Sequence, residues 1–182
     1  MKIKIYLLLI AVVVLATTIL PQTRQISAEA GESFITYKLS HPLHEVESTS
    51  KNADCTIEYN DKTGTIEKVS VQVDVTTFDS GNSNRDSHAM EVIDALDYPE
   101  AGFTSSSVEK DGDSLKVFGK LTFHGVTKDI VIHAFEKQQE NKLTVTGKFT
   151  ISLTAFKVER PSLLLIPTSD DLRFSFSQTF NL

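Results

Sequence analysis

One pattern restricts the fold of this 182-residue chain more than any other: apolar residues return at every second position. In KVSVQVDV, Val69, Val71, Val73 and Val75 fall on one side of an extended chain, while Ser70, Gln72 and Asp74 fall on the other. In SLKVFGKLTF, Leu115, Val117, Leu121 and Phe123 share a side with Gly119. KLTVTGKFTISL aligns Leu143, Val145, Phe149, Ile151 and Leu153 with Gly147, and DLRFSFSQTFNL aligns Leu172, Phe174, Phe176, Phe180 and Leu182. A period of two marks a strand with one buried face. FITYKL and CTIEY repeat the pattern more briefly, whereas DIVIHAF is apolar on both faces and is expected to be covered on both. The turn-forming stretches DKTG, KDGD, HGVT and QENK separate the runs,.

Strands joined by tight turns form an antiparallel meander. One apolar face per strand, carried around many strands, predicts a sandwich or a closed barrel. The expectation is an all-β antiparallel barrel of about eight strands, with an interior wide enough for one small ligand. Mid-strand glycines fit the bends that closure requires. The chain has 11 phenylalanines and no tryptophan. The phenylalanines lie mostly on the apolar faces and so line the inside.

The alternation stops in FDSGNSNRDSHAMEVIDALDYPEAGF, residues 78–103. From Asn84 to Leu96, the residues Ala89, Val92, Ile93 and Leu96 are spaced as one stripe of a helix. Asn84 suits the N-cap, Asp86 suits the positive end of the helix dipole, and Pro99 stops the helix beyond Tyr98. One short amphipathic helix is therefore predicted to cap an end of the barrel with this stripe buried. The polar cluster before it reads as a turn rather than a catalytic loop.

The chain opens with Lys2 and Lys4, an uncharged apolar run from Ile5 to Leu20, Pro21, and the small residues Ala28 and Ala30 in SAEA. This is the layout of a secretory signal peptide. Residues 1–30 are expected to be removed and residues 31–182 to form one exported domain, periplasmic or extracellular. An uncleaved anchor is the other outcome of the same layout. A domain of that length can bury a real core. The formal net charge of −6 argues against nucleic-acid binding and against charge-driven adherence to anionic lipid. Cys55 is the single cysteine. It cannot form an internal disulfide, and in DCTIEY it reads as a small buried hydrophobe.

Two groups of residues, in this order and at this separation, resemble the YceI-like family of exported bacterial proteins. The first holds Ser80, Gly81 and Asn82 at a turn, Arg85, Asp86 and His88 at a helix start, then Tyr98, Pro99 and Phe103. The second is the hairpin from Leu121 to Lys128, which contains His124. The resemblance covers essentially all of the chain after the leader. It implies a lipocalin-like antiparallel barrel, an isoprenoid or other amphiphilic chain held in the lumen, an exported location, and no established enzymatic activity. LSHPLHEVEST, with His41 and His44, and ERPSLLLIPTSDD depart from the family's pattern.

Periodicity alone does not separate a liganded lumen from a filled core; the resemblance favours the lumen. Its expected wall is Val71, Val73, Val75, Leu121, Phe123, Phe149, Phe174 and Phe176. The ligand's polar head is placed near a mouth shaped by Asn82, Arg85, Asp86, His88 and His124. The expected partner is a lipid-like small molecule, a quinone or polyprenyl chain, with no cofactor required. Leu163 to Ile166 are four consecutive apolar residues between Pro161 and Pro167, costly in water unless covered. They pack on the barrel wall, fold over the mouth, or touch a membrane or donor protein. His41 and His44, with His88 or His124, define the alternative of a metal- or haem-associated protein, although positions 41 and 44 of a regular strand face opposite ways unless Pro42 breaks it. His88 and His124 otherwise read as partners of loop backbone. A solid-barrel interaction module is the third reading. No Gly-x-Ser-x-Gly, Gly-rich phosphate loop, Cys-x-x-Cys or His-Glu-x-x-His occurs, so the chain is not read as an enzyme. The sequence leaves the oligomeric state open, with a homodimer among the assemblies considered.

Overall fold

The computed structural model describes residues 23–182; the apolar run Ile5–Leu20 lies outside the described residues. Ten strands form one antiparallel sheet. They are β1 (Thr23–Ser27), β2 (Phe34–His41), β3 (His44–Ser50), β4 (Ala53–Asn60), β5 (Thr65–Asp74), β6 (Glu100–Asp111), β7 (Ser114–Phe123), β8 (Val126–Gln139), β9 (Lys142–Ser152) and β12 (Asp171–Asn181). Their spatial order is β1-β4-β5-β6-β7-β8-β9-β12-β2-β3. A separate two-stranded hairpin joins β10 (Ser162–Leu163) to β11 (Ile166–Pro167), and the helix α1 spans Ser83–Val92.

The sheet curls until its ends meet. β12 pairs with β9 along its whole length, while its other edge pairs with β2 only from Leu172 to Ser177. Lower down that edge Ala28, just past β1, bridges Phe180. There the Ala28 N–H donates to the Cys55 carbonyl at 2.8 Å and the Glu29 N–H donates to the Thr179 carbonyl at 2.7 Å. Two residues thus join β4 to β12. Higher up the seam is filled by the β2–β3 hairpin. Thr49 of β3 bridges Asp79, and the hydroxyls of Ser50 and Thr77 lie 2.6 Å apart. The result is a lipocalin-like barrel of about eight strands, as expected. The sheet counts ten because two of its paths are interrupted: β2 continues the path of β1 and β3 leads into β4, with the β1–β4 register, Ser27 opposite Thr56, carried on by Ile35 opposite Ser50.

The alternating apolar faces turn inward as expected. In β7, Leu115, Val117, Leu121 and Phe123 are buried, and in β9 Leu143, Val145 and Ile151 are buried. The mid-strand glycines do a more specific job than bending. A Cβ on Gly119 would lie 2.5 Å from the Phe103 ring and 2.4 Å from the Thr104 carbonyl oxygen; one on Gly147 would lie 2.5 Å from the Phe176 ring. Each glycine is a recess that takes a phenylalanine from the neighbouring strand.

Several expectations need correction. Asn82, not Asn84, caps α1: its Oδ1 accepts from the N–H groups of Asn84 at 3.1 Å and Arg85 at 3.2 Å. The helix ends at Val92 with Ile93 as its C-cap, and Asp94 turns to φ 47°. That turn breaks the 100° step, so Leu96 is 100% exposed and Ala95 is buried in its place. Val75 lies in a 3-10 turn, Val75–Thr77, after β5 ends, yet stays buried. DIVIHAF is covered on one face only. Ile132 and Ala134 point inward, while Val131 and Phe135 are exposed on the outside of the barrel. His41 and His44 share a face, because a two-residue turn joins β2 to β3 and pairs them directly.

The leader boundary expected after Ala30 falls beyond β1. Thr23–Ser27 pair with β4 residue by residue, and Ile26 is buried opposite Ile57. A chain starting at residue 31 is therefore expected to be less stable to urea than one starting at residue 23, by about 2 kcal/mol or more, the scale of one buried isoleucine. Gly119→Ala is expected to cost about 1–3 kcal/mol in the same measurement, because the added methyl group overpacks Phe103 against backbone.

Candidate functional site

The barrel encloses a cavity of about 430 Å³. Its floor includes Ile57, Ile66, Leu115 and Phe180, all buried. Its more exposed lining residues, His44, His88 and Leu163, sit where β2 turns into β3, where α1 passes and where the β10–β11 hairpin stands. That end is the mouth. All eight residues expected in the lumen wall line the cavity: Val71, Val73, Val75, Leu121, Phe123, Phe149, Phe174 and Phe176.

Strand register builds an aromatic wall on one side. Tyr37, Phe174 and Phe149 are direct cross-strand neighbours on β2, β12 and β9. Phe149 and Phe174 stack 4.8 Å apart at 8°. Tyr37 meets Phe174 at 6.4 Å and Phe78 at 5.3 Å, which carries the wall up towards the mouth. Burial raises the Tyr37 phenol above its ordinary value, so it faces the cavity uncharged,. Valines on β5 form much of another side, together with Cys55, Ile57 and Phe103. Burial pushes the Cys55 thiol up to about 12, and it behaves as another apolar wall residue,.

The expected mouth residues divide into two groups. Arg85, Asp86 and His88 line the cavity; Asn82 and His124 do not. Arg85 is committed to the loop: Nε donates to Ser80 Oγ at 2.9 Å and Nη2 donates to the Ser80 carbonyl at 2.8 Å. Asp86 accepts from the Ser80 N–H at 3.2 Å. Together they fold residues 80–85 into the turn that starts α1. His124 sits on the β7–β8 turn. Its Nδ1 donates to the Phe156 carbonyl at 3.1 Å, its Nε2 faces Asp94 Oδ2 at 3.2 Å, and Tyr98 packs 4.6 Å from its ring. It fastens that turn to the segment leaving α1. The hydrogen-bond role read from the sequence describes it well.

His41 and His44 lie at the rim, with ring centroids 5.1 Å apart. His41 Nε2 donates to the Ile166 carbonyl at 2.9 Å, and Nδ1 accepts from the Leu43 N–H at 3.2 Å. Both ring nitrogens are therefore engaged, leaving none for a metal. Among the described residues no group of three or more His, Cys, Asp or Glu converges as a metal site. The role of His41 is to tie the β2–β3 turn to the β10–β11 hairpin. In that hairpin Leu164 and Leu165 take φ values of 52° and 66°. Left-handed backbone costs a non-glycine residue roughly 1–2 kcal/mol, yet both leucines point into solvent.

Sequence reasoning missed two enclosed polar groups on residues of the cavity wall, those of Gln178 and Thr168. Gln178 is only 4% exposed. Its Nε2 donates to the Phe34 carbonyl at 3.2 Å, which leaves Oε1 facing away without a partner among the described residues. Thr168 Oγ1, nearer the mouth, is also buried and unpaired among the described residues. In the sequence, Gln178 occupies an inward position of the period-two run Leu172–Phe180, and a polar residue at such a position was the available signal.

A model of the YceI-like domain matches residues 27–180. Protein YceI of Escherichia coli O17:K52:H18 is 34% identical over 113 residues, 60% of this chain and 59% of that protein, so the alignment spans about three-fifths of the relative's length. The crystal structure of Burkholderia cenocepacia BcnA is similar with a TM-score of 0.75 at 20% identity, covering 84% of this chain and 98% of that one. A polyisoprenoid binding domain from Saccharophagus degradans, implicated in plant cell wall breakdown, gives 0.65 at 14% identity, covering 86% and 97%. With the domain matched from the end of β1 to the end of β12, the chain belongs to the YceI-like family.

Proposed function

We propose that this protein binds an uncharged, lipid-like chain in its barrel and carries or sequesters it without chemical change. The observation that carries this reading is the cavity itself, about 430 Å³ and walled by valine, leucine and phenylalanine. Apolar surface withdrawn from water contributes about 25 cal/mol per Å², so a chain threaded along this wall is held by burial alone. The cavity volume lies within the range of known ligand sites. The similarity to a polyisoprenoid binding domain supports an isoprenoid, such as a quinone or polyprenyl chain, as the ligand class.

The lining favours an uncharged head group. Arg85 is spent on Ser80 and both nitrogens of His41 are engaged. The leader-like N-terminal run supports an exported protein, periplasmic or extracellular.

Purified without detergent and examined by native mass spectrometry, the chain from residue 23 is expected to carry an extractable mass of lipid size. Phe149→Asp and Phe174→Asp each place a carboxylate against the ligand and are expected to abolish retention in protein that keeps its β-sheet circular dichroism. Unchanged retention in such a folded variant would remove the lumen as the binding site. The raised thiol value adds a pH prediction: folded protein is expected to leave Cys55 unmodified by maleimide at pH 8, since the thiolate appears only near pH 12. Urea-unfolded protein is expected to react promptly.

A further inference from the structure

We propose that the mouth of the barrel docks onto the surface of a neutral phospholipid bilayer through a crown of three leucines, Leu43, Leu164 and Leu165. The crown sits on two turns that are bonded to each other. His41 Nε2 donates to the Ile166 carbonyl at 2.9 Å, and the Ser169 N–H donates to the Ser40 carbonyl at 2.7 Å. Leu43 is 61% exposed, Leu164 76% and Leu165 98%. Three large apolar side chains therefore stand in water at one end of the molecule.

The backbone makes the choice of residue at the tip pointed. A two-residue hairpin turn with positive φ at both positions favours Asn-Gly or a close relative. The β7–β8 turn has the same signs of φ, 49° and 68°, and there the residues are His124 and Gly125. The β10–β11 turn holds Leu-Leu instead. That pair is poor for the turn, poor for solubility and useful at an apolar surface.

The shape and position of the crown favour a bilayer over a folded partner. The crown projects rather than forming a groove, and a fluid acyl layer adapts to a projection. It is also continuous with the cavity. Pro161, Ser162 and Leu163 line the mouth, and the next two residues are the exposed leucines. A chain leaving the bilayer would meet Leu163 directly. This continuity rests on the carrier reading above; the crown itself does not. Charge favours zwitterionic lipid, because the chain is acidic, with a net charge of −6. The contact is peripheral: among the described residues no helix is long and apolar enough to cross a membrane.

The test is co-flotation of the chain from residue 23 with phosphatidylcholine vesicles, at low and high salt. Wild type is expected to float at both. Leu164→Asn combined with Leu165→Gly gives the turn its preferred residues, so the thermal midpoint should hold or rise, while the floated fraction falls by about tenfold or more. Leu43→Ser is expected to lower it less. The chain lacks tryptophan, so Leu165→Trp gives a single reporter whose emission should shift to the blue on adding vesicles. Absence of wild-type flotation, or equal flotation of the Asn-Gly variant, would overturn the proposal. So would a wild-type dimer that the variant loses, without flotation of either, since the crown would then join two copies. Farnesol binding in solution, read by native mass spectrometry, separates this proposal from the carrier reading. The Asn-Gly variant should still bind farnesol; if neither protein binds it while flotation depends on the leucines, the carrier reading fails and the docking surface stands.

Discussion

The whole barrel depends on how β12 divides its edges. One edge is given to β9 for the full length of the strand. The other is shared between β2 above and the segment after β1 below. A curled sheet left open would present rows of unpaired N–H and C=O groups, which invite pairing with other chains. The lower seam is closed by Ala28 and Glu29, and the upper seam by β2 and β3, where Thr49 bridges Asp79. The same division of β12 therefore removes the exposed edges at both heights.

A barrel this rich in phenylalanine could have filled itself. It stays hollow because its largest rings lie along the wall. Phe103 settles over Gly119 and Phe176 over Gly147. Phe149 and Phe174 lie flat against each other. Valine, on β5, adds apolar surface to the facing wall while extending little into the space. Interior packing elsewhere is tight, with Ile57, Leu143, Phe156 and Phe180 almost wholly enclosed. The hollow is thus set by where glycine and valine fall in the alternation, and loose packing is not its cause.

The inward faces were legible in the sequence because a strand's side chains alternate without exception unless a bulge intervenes. Every residue of the expected lumen wall lies on the cavity, and all but Val75, which sits in the turn after β5, do so for that reason. Properties that depend on where an element ends were not legible. Leu96 fits the helical stripe perfectly on paper, but the helix stops at Val92 and Asp94 reverses the chain. His41 and His44 look opposed if one strand contains both; Pro42 signalled a possible break, and only the structure shows that Pro42–Leu43 is a turn that makes them neighbours. DIVIHAF carries no sign of which face lacks a covering layer. β1 was hidden because TRQIS has one inward apolar residue, Ile26, too few to show a period. The mouth motif was read as a turn, and Arg85 and Asp86, both on the cavity lining, bond to Ser80 of that turn.

That last point bears on selectivity. A charged ligand buried in an apolar cavity is costly unless an opposite charge meets it. At this mouth Arg85 and Asp86 both serve Ser80, and His41 serves the hairpin. Moving Arg85 to meet an anionic head would break two hydrogen bonds that shape the start of α1, and α1 itself borders the opening. Recognition of charge would therefore loosen the structure that forms the entrance. An uncharged chain makes no such demand. It asks only for apolar wall, which the valine, leucine and phenylalanine lining supplies.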